Sequence, residues 1–322
     1  MKYYLGMDIG GTKCAVVISE KNSNSVKDKI RFETKVERGY SEIIAELISS
    51  ALEIMQRNGI AAEDIIACGV SCGGPLDTEK GIIMRPPNLP DWDNVPLAET
   101  VSTALGCPCK VRNDADACAL AEWQFGAGRG TKNMIFLTFG TGMGAGLILD
   151  GRLYSGTCGT AGEVGHVRLD SDGPVAYGKA GSFEGFCSGA GIEAMAKKML
   201  SIYNGETSIP YDNVSAKTVA EAAEKGDRLA NAIYRRCAEK LGLGLAMLID
   251  ILNPERIVIG SIFQRSGHLL VDTMNEVVRR EALPISAECC EIVPAMLGDD
   301  IGDYAAIGVA RDYAEGLKGG LK

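Results

Sequence analysis

Two stretches of this chain carry one pattern, and that repetition limits the fold more than any other feature. Residues 3–19 read YYLGMDIGGTKCAVVIS and residues 134–150 read MIFLTFGTGMGAGLILD. Each is an apolar run, a turn rich in Gly and Thr, and a second apolar run, the signature of a hairpin. Aligning Gly10 with Gly140 places Ala15 on Ala145 and Ile18 on Ile148. Glycine turns leave backbone N–H groups unobstructed by Cβ atoms, and the hydroxyls of Thr12, Thr138 and Thr141 add donors. Two such turns can hold one chain of phosphates between them. The repeat points to a nucleotide-using enzyme built of two related halves around a cleft.

Composition narrows the partners. A chain of 322 residues has room for two domains with real cores, and 46% hydrophobic with 23% charged residues is ordinary for a globular protein. The net charge of −9, with no basic run, argues against nucleic acid as a partner. The 11 cysteines are scattered, several inside apolar runs, as free thiols are in a reducing cytoplasm. The opening Met-Lys-Tyr-Tyr carries no leader pattern, and the longest apolar stretch, Leu241–Ile249, is too short to span a bilayer. The expectation is a cytoplasmic protein with no membrane partner.

Strand-like and helix-like segments alternate, which argues an α/β fold. Strands are expected at Tyr3–Asp8, Cys14–Ser19, Ile30–Val36, Ile65–Ser71, Cys109–Arg112, Arg256–Ile259 and Glu291–Val293. Helices are expected at Ser41–Arg57 with Ser41 as N-cap, Ala115–Phe125, 190–203, 216–225, 228–252, 267–280 and Tyr304–Leu317. Residues 85–96, RPPNLPDWDNVP, read as a rigid loop because Leu89 and Trp92 give it something to bury. The division is expected as a small lobe over 1–115, with a helix at about 304–317 packing back on it, and a large lobe over 116–303.

Several residues carry candidate chemistry. Asp8 ends a strand just before Gly10, Gly11, Thr12 and Lys13. A carboxylate beside a phosphate cradle implies an intervening cation, so Mg²⁺ is expected at Asp8, against the alternative of a turn-capping aspartate. Lys13 is either a phosphate contact or a solvated charge. Asn113-Asp114 stands where a strand meets a helix, at the sheet edge where ligands bind. There Asp114 can take the proton of an attacking hydroxyl, or merely cap the helix. Glu163, His166 and Glu184 lie in a Gly-rich region and suit bidentate hydrogen bonds to a polyol. Gly173–Lys179 nearly fits a P-loop, but Ala180 stands where the Mg²⁺-binding hydroxyl belongs and no apolar strand precedes it.

DIGGTK at 8–13, SCGGPLD at 71–77, NDADACALAE at 113–122, FLTFGTGMGAGLILDGRL at 136–153 and AGEVGH at 161–166 together resemble the ROK family of sugar kinases and sugar-responsive repressors. LNPERIVIGSIF at 252–263 and LGDDIGDYAAIGVA at 297–310 extend the resemblance over nearly the whole chain. It implies the duplicated actin-like (ribonuclease H-like) ATPase fold and ATP-dependent phosphorylation of a hexose hydroxyl, usually at C6. Asp8, Gly10, Gly11, Thr12 and Lys13 would serve one phosphate loop, Gly140, Thr141 and Gly142 the other, and Gly260 the adenosine side. Asp114 would be the base, and Gly74, Asn113, Asp114, Glu163, His166 and Glu184 would hold the sugar. A homodimer is implied too. The repressors carry a DNA-binding extension before the first loop; with that loop at residue 8, the kinase branch is expected over a silent sugar-binding regulator.

One departure from the family is plain. Many members bind structural zinc with this His and three Cys of a CxCGxxGC stretch. Here residues 175–182 read VAYGKAGS, so no structural zinc is expected. Tyr177, Phe183 and Phe186 are expected to pack this loop instead. A second departure is Ser261-Ile262-Phe263 after Gly260, where the family tends to have more glycine.

Overall fold

A computed structural model describes residues 1–319, with side chains through residue 317. The chain forms two compact units. One comprises Met1–Arg129, Ser155–Gly159 and the segment from Asp299 onward; the other comprises Gly130–Tyr154 and Thr160–Gly298. The division expected at residue 115 therefore falls after Arg129. The helix that follows residue 113 stays with the first unit because it packs against the C-terminal helix, Ile301–Gly319.

The first unit is built on β1 (Tyr3–Ile9), β2 (Lys13–Glu20), β3 (Asp28–Glu33), β4 (Ile65–Cys72) and, after the small sheet β5 (Leu76–Asp77), β6 (Ile82–Met84) and β7 (Asp93–Val95), strand β8 (Cys109–Asn113). The main sheet runs β3-β2-β1-β4-β8, with β1, β2 and β3 antiparallel and β1, β4 and β8 parallel. Alternation along β1 decides what each face meets. Leu5 and Met7 join one apolar cluster with Ile43, Leu47, Ala51 and Ile54 of helix α1 (Tyr40–Arg57). Tyr4 and Asp8 point to the other face, where the C-terminal helix lies along β1 and β4 and its Arg311 sits 5.9 Å over the Tyr4 ring. Helix α2 (Leu97–Leu105) precedes β8, and α3 (Asp114–Phe125) follows it. Leu89 and Trp92 of the proline-rich loop are fully buried, as their residue types led one to expect.

The second unit repeats this plan. Strands β9 (Met134–Phe139), β10 (Met143–Leu149), β11 (Arg152–Leu153), β14 (Arg256–Ile259) and β15 (Glu291–Pro294) form a sheet in the order β11-β10-β9-β14-β15, antiparallel at the first two pairings and parallel at the last two. Between β11 and β14 come a short hairpin, β12 (Val175–Ala176) and β13 (Lys179–Ala180), and helices α4 (Phe183–Phe186), α5 (Gly189–Leu200), α6 (Ala216–Glu224) and α7 (Arg228–Leu252). After β14 come α8 (Ile262–Ser266), α9 (Val271–Glu281) and α10 (Pro284–Glu288). Identical strand order and direction in both units make this the duplicated α/β ATPase arrangement.

The two hairpins differ by one residue, which corrects part of the sequence alignment. Asp8 pairs with Ala15, and Gly10 N donates to Lys13 O at 3.1 Å. In the second hairpin Thr138 pairs with Gly144, and Gly140 N donates to Gly142 O at 3.1 Å. Gly10 and Gly140 do correspond. Beyond the turn, however, Ala15 corresponds to Gly144 rather than Ala145, because the second turn is tighter by one residue.

Some boundaries also move. Helix α1 is capped by Gly39 with no side-chain bond, so Ser41 is not its N-cap. The third strand ends at Glu33, and the expected helix 267–280 is preceded by α8 and a 3-10 turn, Gly267–Leu269. All eleven cysteines are free thiols. Among the described residues no helix is long and apolar enough to cross a membrane.

Candidate active site

In the first unit the parallel strands β1, β4 and β8 end in register, with Asp8 beside Ser71 and Cys72 beside Asn113. Their carboxyl ends thus bring Asp8, Ser71, Gly74 and Asn113 to one edge. Asn113 is the N-cap of α3, its carboxamide oxygen accepting from Ala115 N at 2.9 Å. The capping alternative for Asp114 therefore falls to its neighbour. Asp114 occupies the first helical position, exposed at the rim of the site, where its carboxylate also accepts from Ala115 N at 2.8 Å. Gly74 lies beside Asn113: a Cβ on it would stand 3.0 Å from the Asn113 amide nitrogen.

Asp8, Lys13, Arg31, Asp114, Asp299 and Asp303 line one cavity of about 260 Å³. A larger cavity of about 510 Å³ in the same unit, lined by Glu79, Lys110 and Tyr313 among others, contains none of the candidate residues. Burial pushes the Asp8 carboxyl up to about 6; Asp303 and Asp114 add to this, while a hydrogen bond from Ser71 and the charge of Arg31 oppose it. The protein packed around Asp114 raises its carboxyl above the ordinary range as well, against the backbone N–H groups that lower it. Asp303 is 3% exposed and is held by Lys29 Nζ at 2.5 Å and Arg31 Nη2 at 3.4 Å.

The first glycine turn is braced from outside its own sequence. Thr34 Oγ1 donates to Gly10 O at 2.6 Å and its N–H to Thr12 O at 2.9 Å. Gly11 faces Asn88, whose carbonyl oxygen would lie 2.7 Å from a Cβ there, so only glycine fits. Thr12 and Lys13 are exposed. Thr34, Ser71, Asn88 and Asp303 were not legible as site residues. Ser71 and Asn88 stand next to glycine and proline turns, a usable signal; Thr34 and Asp303 reach the site only through tertiary folding.

In the second unit Gly140, Thr141 and Gly142 form the tight turn, with Thr141 exposed. Its carbonyls are fixed by the start of α5: Gly189 N donates to Gly140 O at 2.7 Å and Ala190 N to Thr141 O at 3.2 Å. Thr138 is no phosphate donor, because its O–H donates to Gly144 O at 3.3 Å across the hairpin while its oxygen accepts from Gly144 N at 2.8 Å. Glu184 comes to the same turn, its carboxylate accepting from Met143 N at 2.9 Å. Glu163 and His166 are exposed at either end of a 3-10 turn, Val164–His166. That turn lies so close to β10 that a Cβ on Gly165 would overlap the Met143 carbonyl oxygen and come within 3.2 Å of Glu184 Cβ. The glycine of the ExGH pattern is thus what lets His166 and Glu184 share one neighbourhood. Gly260 follows β14, donating to Leu137 O at 3.0 Å, and Ser261 comes next with φ 53° and ψ −107°, its Oγ 3.7 Å from where a Cβ on Gly140 would be.

Known proteins bear on this geometry. A family model described as ROK family matches residues 4–312. A glucokinase from Thermotoga maritima is 32% identical over 319 residues, covering 97% of this chain and 98% of that protein. The solved structure of a ROK family glucokinase from Streptomyces griseus in complex with glucose and AMPPNP superposes with a TM-score of 0.73 at 30% identity, covering 96% of this chain and 99% of that one. A xylose repressor from Caldicellulosiruptor bescii is 30% identical over 286 residues, covering 86% of this chain and 70% of that protein.

Proposed function

The chain belongs to the ROK family, and from that premise we propose that it is an ATP-dependent kinase that phosphorylates a hexose hydroxyl, at C6, with Asp114 as base. The observation that carries this reading is the placement of Asp114. Its neighbour Asn113 takes the helix-capping duty, which leaves the Asp114 carboxylate at the rim of a cavity it shares with Asp8 and Lys13. A carboxylate raised by its surroundings is a better proton acceptor than a solvated one.

In this reading Asp114 accepts the proton of the attacking hydroxyl, and Asn113 donates to and accepts from adjacent sugar hydroxyls. Gly74, Glu163, His166 and Glu184 complete the hold on the sugar. The N–H groups that the turns of Gly10–Lys13 and Gly140–Gly142 do not spend on their own closing bonds meet the phosphates, and Gly260 borders the adenosine. Preorganised donors of this kind act on charge that develops as the phosphoryl group moves. Asp8 suits Mg²⁺: a divalent cation offsets the charge that burial and two nearby carboxylates disfavour, and this ion commonly takes one or two carboxylates with substrate phosphates and water. When bound there it neutralises phosphate charge.

The similarity to a repressor supports a second reading, a sugar-binding regulator without turnover. ADP release with Mg²⁺·ATP across hexoses and N-acetylhexosamines separates the two. Stimulation by one sugar establishes the kinase and names its substrate class. No stimulation, with sugar still raising the melting temperature, establishes the regulator.

A further inference from the structure

The segment from His166 to Glu184 is the part of the second unit where structural zinc is the family's device, and the residues here do not fit that ion. Residues 175–182 contain no sulfur. Cys187 is buried and turned inward, its thiol donating to Cys237 O at 3.4 Å. Among the described residues no three His, Cys, Asp or Glu side chains gather into a metal-holding group.

Another construction holds the segment. Strands β12 and β13 pair through Val175–Ala180 and Ala176–Lys179, turning at Tyr177 and Gly178 with φ of 48° and 71°. Leu169 N and Asp170 N both donate to Gly181 O, at 2.8 and 3.1 Å, and Phe183 N donates to Val167 O at 2.8 Å. Lys179 Nζ reaches the backbone oxygen of His166 at 2.8 Å. Tyr177, expected to pack the loop, is 79% exposed, whereas Phe183 and Phe186 are buried as expected. At the base of the hairpin, Asp170 accepts from Lys240 Nζ at 2.7 Å and Arg236 Nη2 at 2.9 Å, both from α7. Both cations also lie over the Phe186 ring, at 5.2 and 5.5 Å from its centre. Lys240 is 5% exposed, and an ammonium so enclosed needs an anionic partner. Its hydrogen bond holds the Asp170 carboxyl down at about 2, so the carboxylate stays charged at any working pH.

We propose that Asp170, Lys240 and Arg236, stacked on Phe186, are positioning residues that fix the spacing of His166 and Glu184 without a metal, and thereby set affinity for the sugar. Phe186 links the two ends physically, since it closes the same short helix α4 that carries Glu184. The inference rests on the reading of His166 and Glu184 as sugar contacts.

Asp170→Asn removes the charge and keeps the shape. The expected result is a sugar KM raised about tenfold, a kcat within about twofold and an unchanged KM for ATP, the loss of one charged hydrogen bond spread over positioning. Lys240→Arg, which keeps both the charge and the ring contact, leaves the sugar KM within about twofold of the unmodified protein. Trypsin cleavage after Lys179, read without any sugar, becomes faster in Asp170→Asn and keeps the original rate in Lys240→Arg. Dialysis of the unmodified protein against a chelator leaves both sugar KM and cleavage rate unchanged. A folded Asp170→Asn variant with unaltered sugar KM and cleavage rate overturns the proposal, as does chelator sensitivity of the unmodified protein. Failure of the underlying reading looks different: His166→Ala would then bind sugar normally, while the cleavage results at the hairpin would stand.

Discussion

The two glycine hairpins share strand order, strand direction and an equivalent first glycine, yet they have diverged in charge. The first ends its leading strand in Asp8, a carboxylate raised to about 6 by burial and flanked by Asp303 and Asp114. The second has Thr138 at the equivalent place, its hydroxyl spent across the hairpin on Gly144, and a turn one residue shorter. Duplication therefore made two glycine turns, but only in the first does the leading strand itself carry a carboxylate near its end; the second receives one from Glu184 of α4. The second turn's carboxylate is tied to a backbone N–H of the same hairpin, whereas the first turn stands beside a buried one.

The largest effect should fall on the charged side. Asp114→Ala should lower kcat by about 10³-fold or more, the range for a lost general base, while ATP affinity moves little. A steady-state assay beside nucleotide titration checks this, and near-normal turnover would remove Asp114 from the mechanism.

Asp8 and Thr138 can then be compared through stability. Burial pushes the Asp8 carboxyl from its ordinary 3.8 up to about 6, so the folded protein holds this proton more tightly than the unfolded chain. Its stabilising contribution is present below about pH 4 and is lost as pH rises through 6, amounting to about 2–3 kcal/mol. Metal-free Asp8→Asn should therefore unfold at higher denaturant than the unmodified protein at pH 7.5, and Mg²⁺·ATP should narrow the gap. Thr138→Val in the second hairpin should lose about 1 kcal/mol at every pH. An Asp8→Asn advantage that persists at pH 4 would show that burial of charge is not its source.

These contrasts also mark what the residues alone disclosed. The duplication, the α/β class and the separate candidacies of Asp8 and Asp114 were legible because local patterns carry them: apolar runs, glycine turns, a carboxylate at a strand end; that the two share a cavity was not. The one-residue slip after the turn was not, since Ala15 and Ala145 match in type and only backbone pairing shows that Gly144 is the true counterpart. Thr34 and Asp303 were invisible for a related reason, as Thr34 reaches the first turn and Asp303 the cavity beside it from distant segments. The tether of Glu184 to Met143 is likewise long-range, joining residues 41 apart.

Gly165→Ala tests the second half directly. The added methyl group meets the Met143 carbonyl oxygen and must push the 3-10 turn outward, an overpacking cost of about 1–3 kcal/mol. Because His166 follows in that turn, sugar-induced stabilisation should weaken while nucleotide-induced stabilisation persists. Equal loss of both would mean that the whole hairpin, and not the sugar side, had shifted.

The smallest effect separates strain from function in the second unit. Ser261 caps α8 at φ 53° and ψ −107°, a backbone state natural to glycine, and its N–H bonds the Gln264 carboxamide oxygen at 3.0 Å. Gln264 in turn donates to Ala295 O at 2.7 Å, so the strain is held in place by a bond to the residue that follows β15. Ser261→Gly relieves that strain and keeps the backbone donor. It should stabilise the protein by about 1 kcal/mol, reduced by the extra freedom glycine has when unfolded. If Ser261 Oγ also touches nucleotide near Gly140 and Gly260, the same variant gains stability yet raises the KM for ATP. A gain in melting temperature with ATP affinity unchanged would make Ser261 a strained cap and nothing more, leaving the contrast between the hairpins to charge alone.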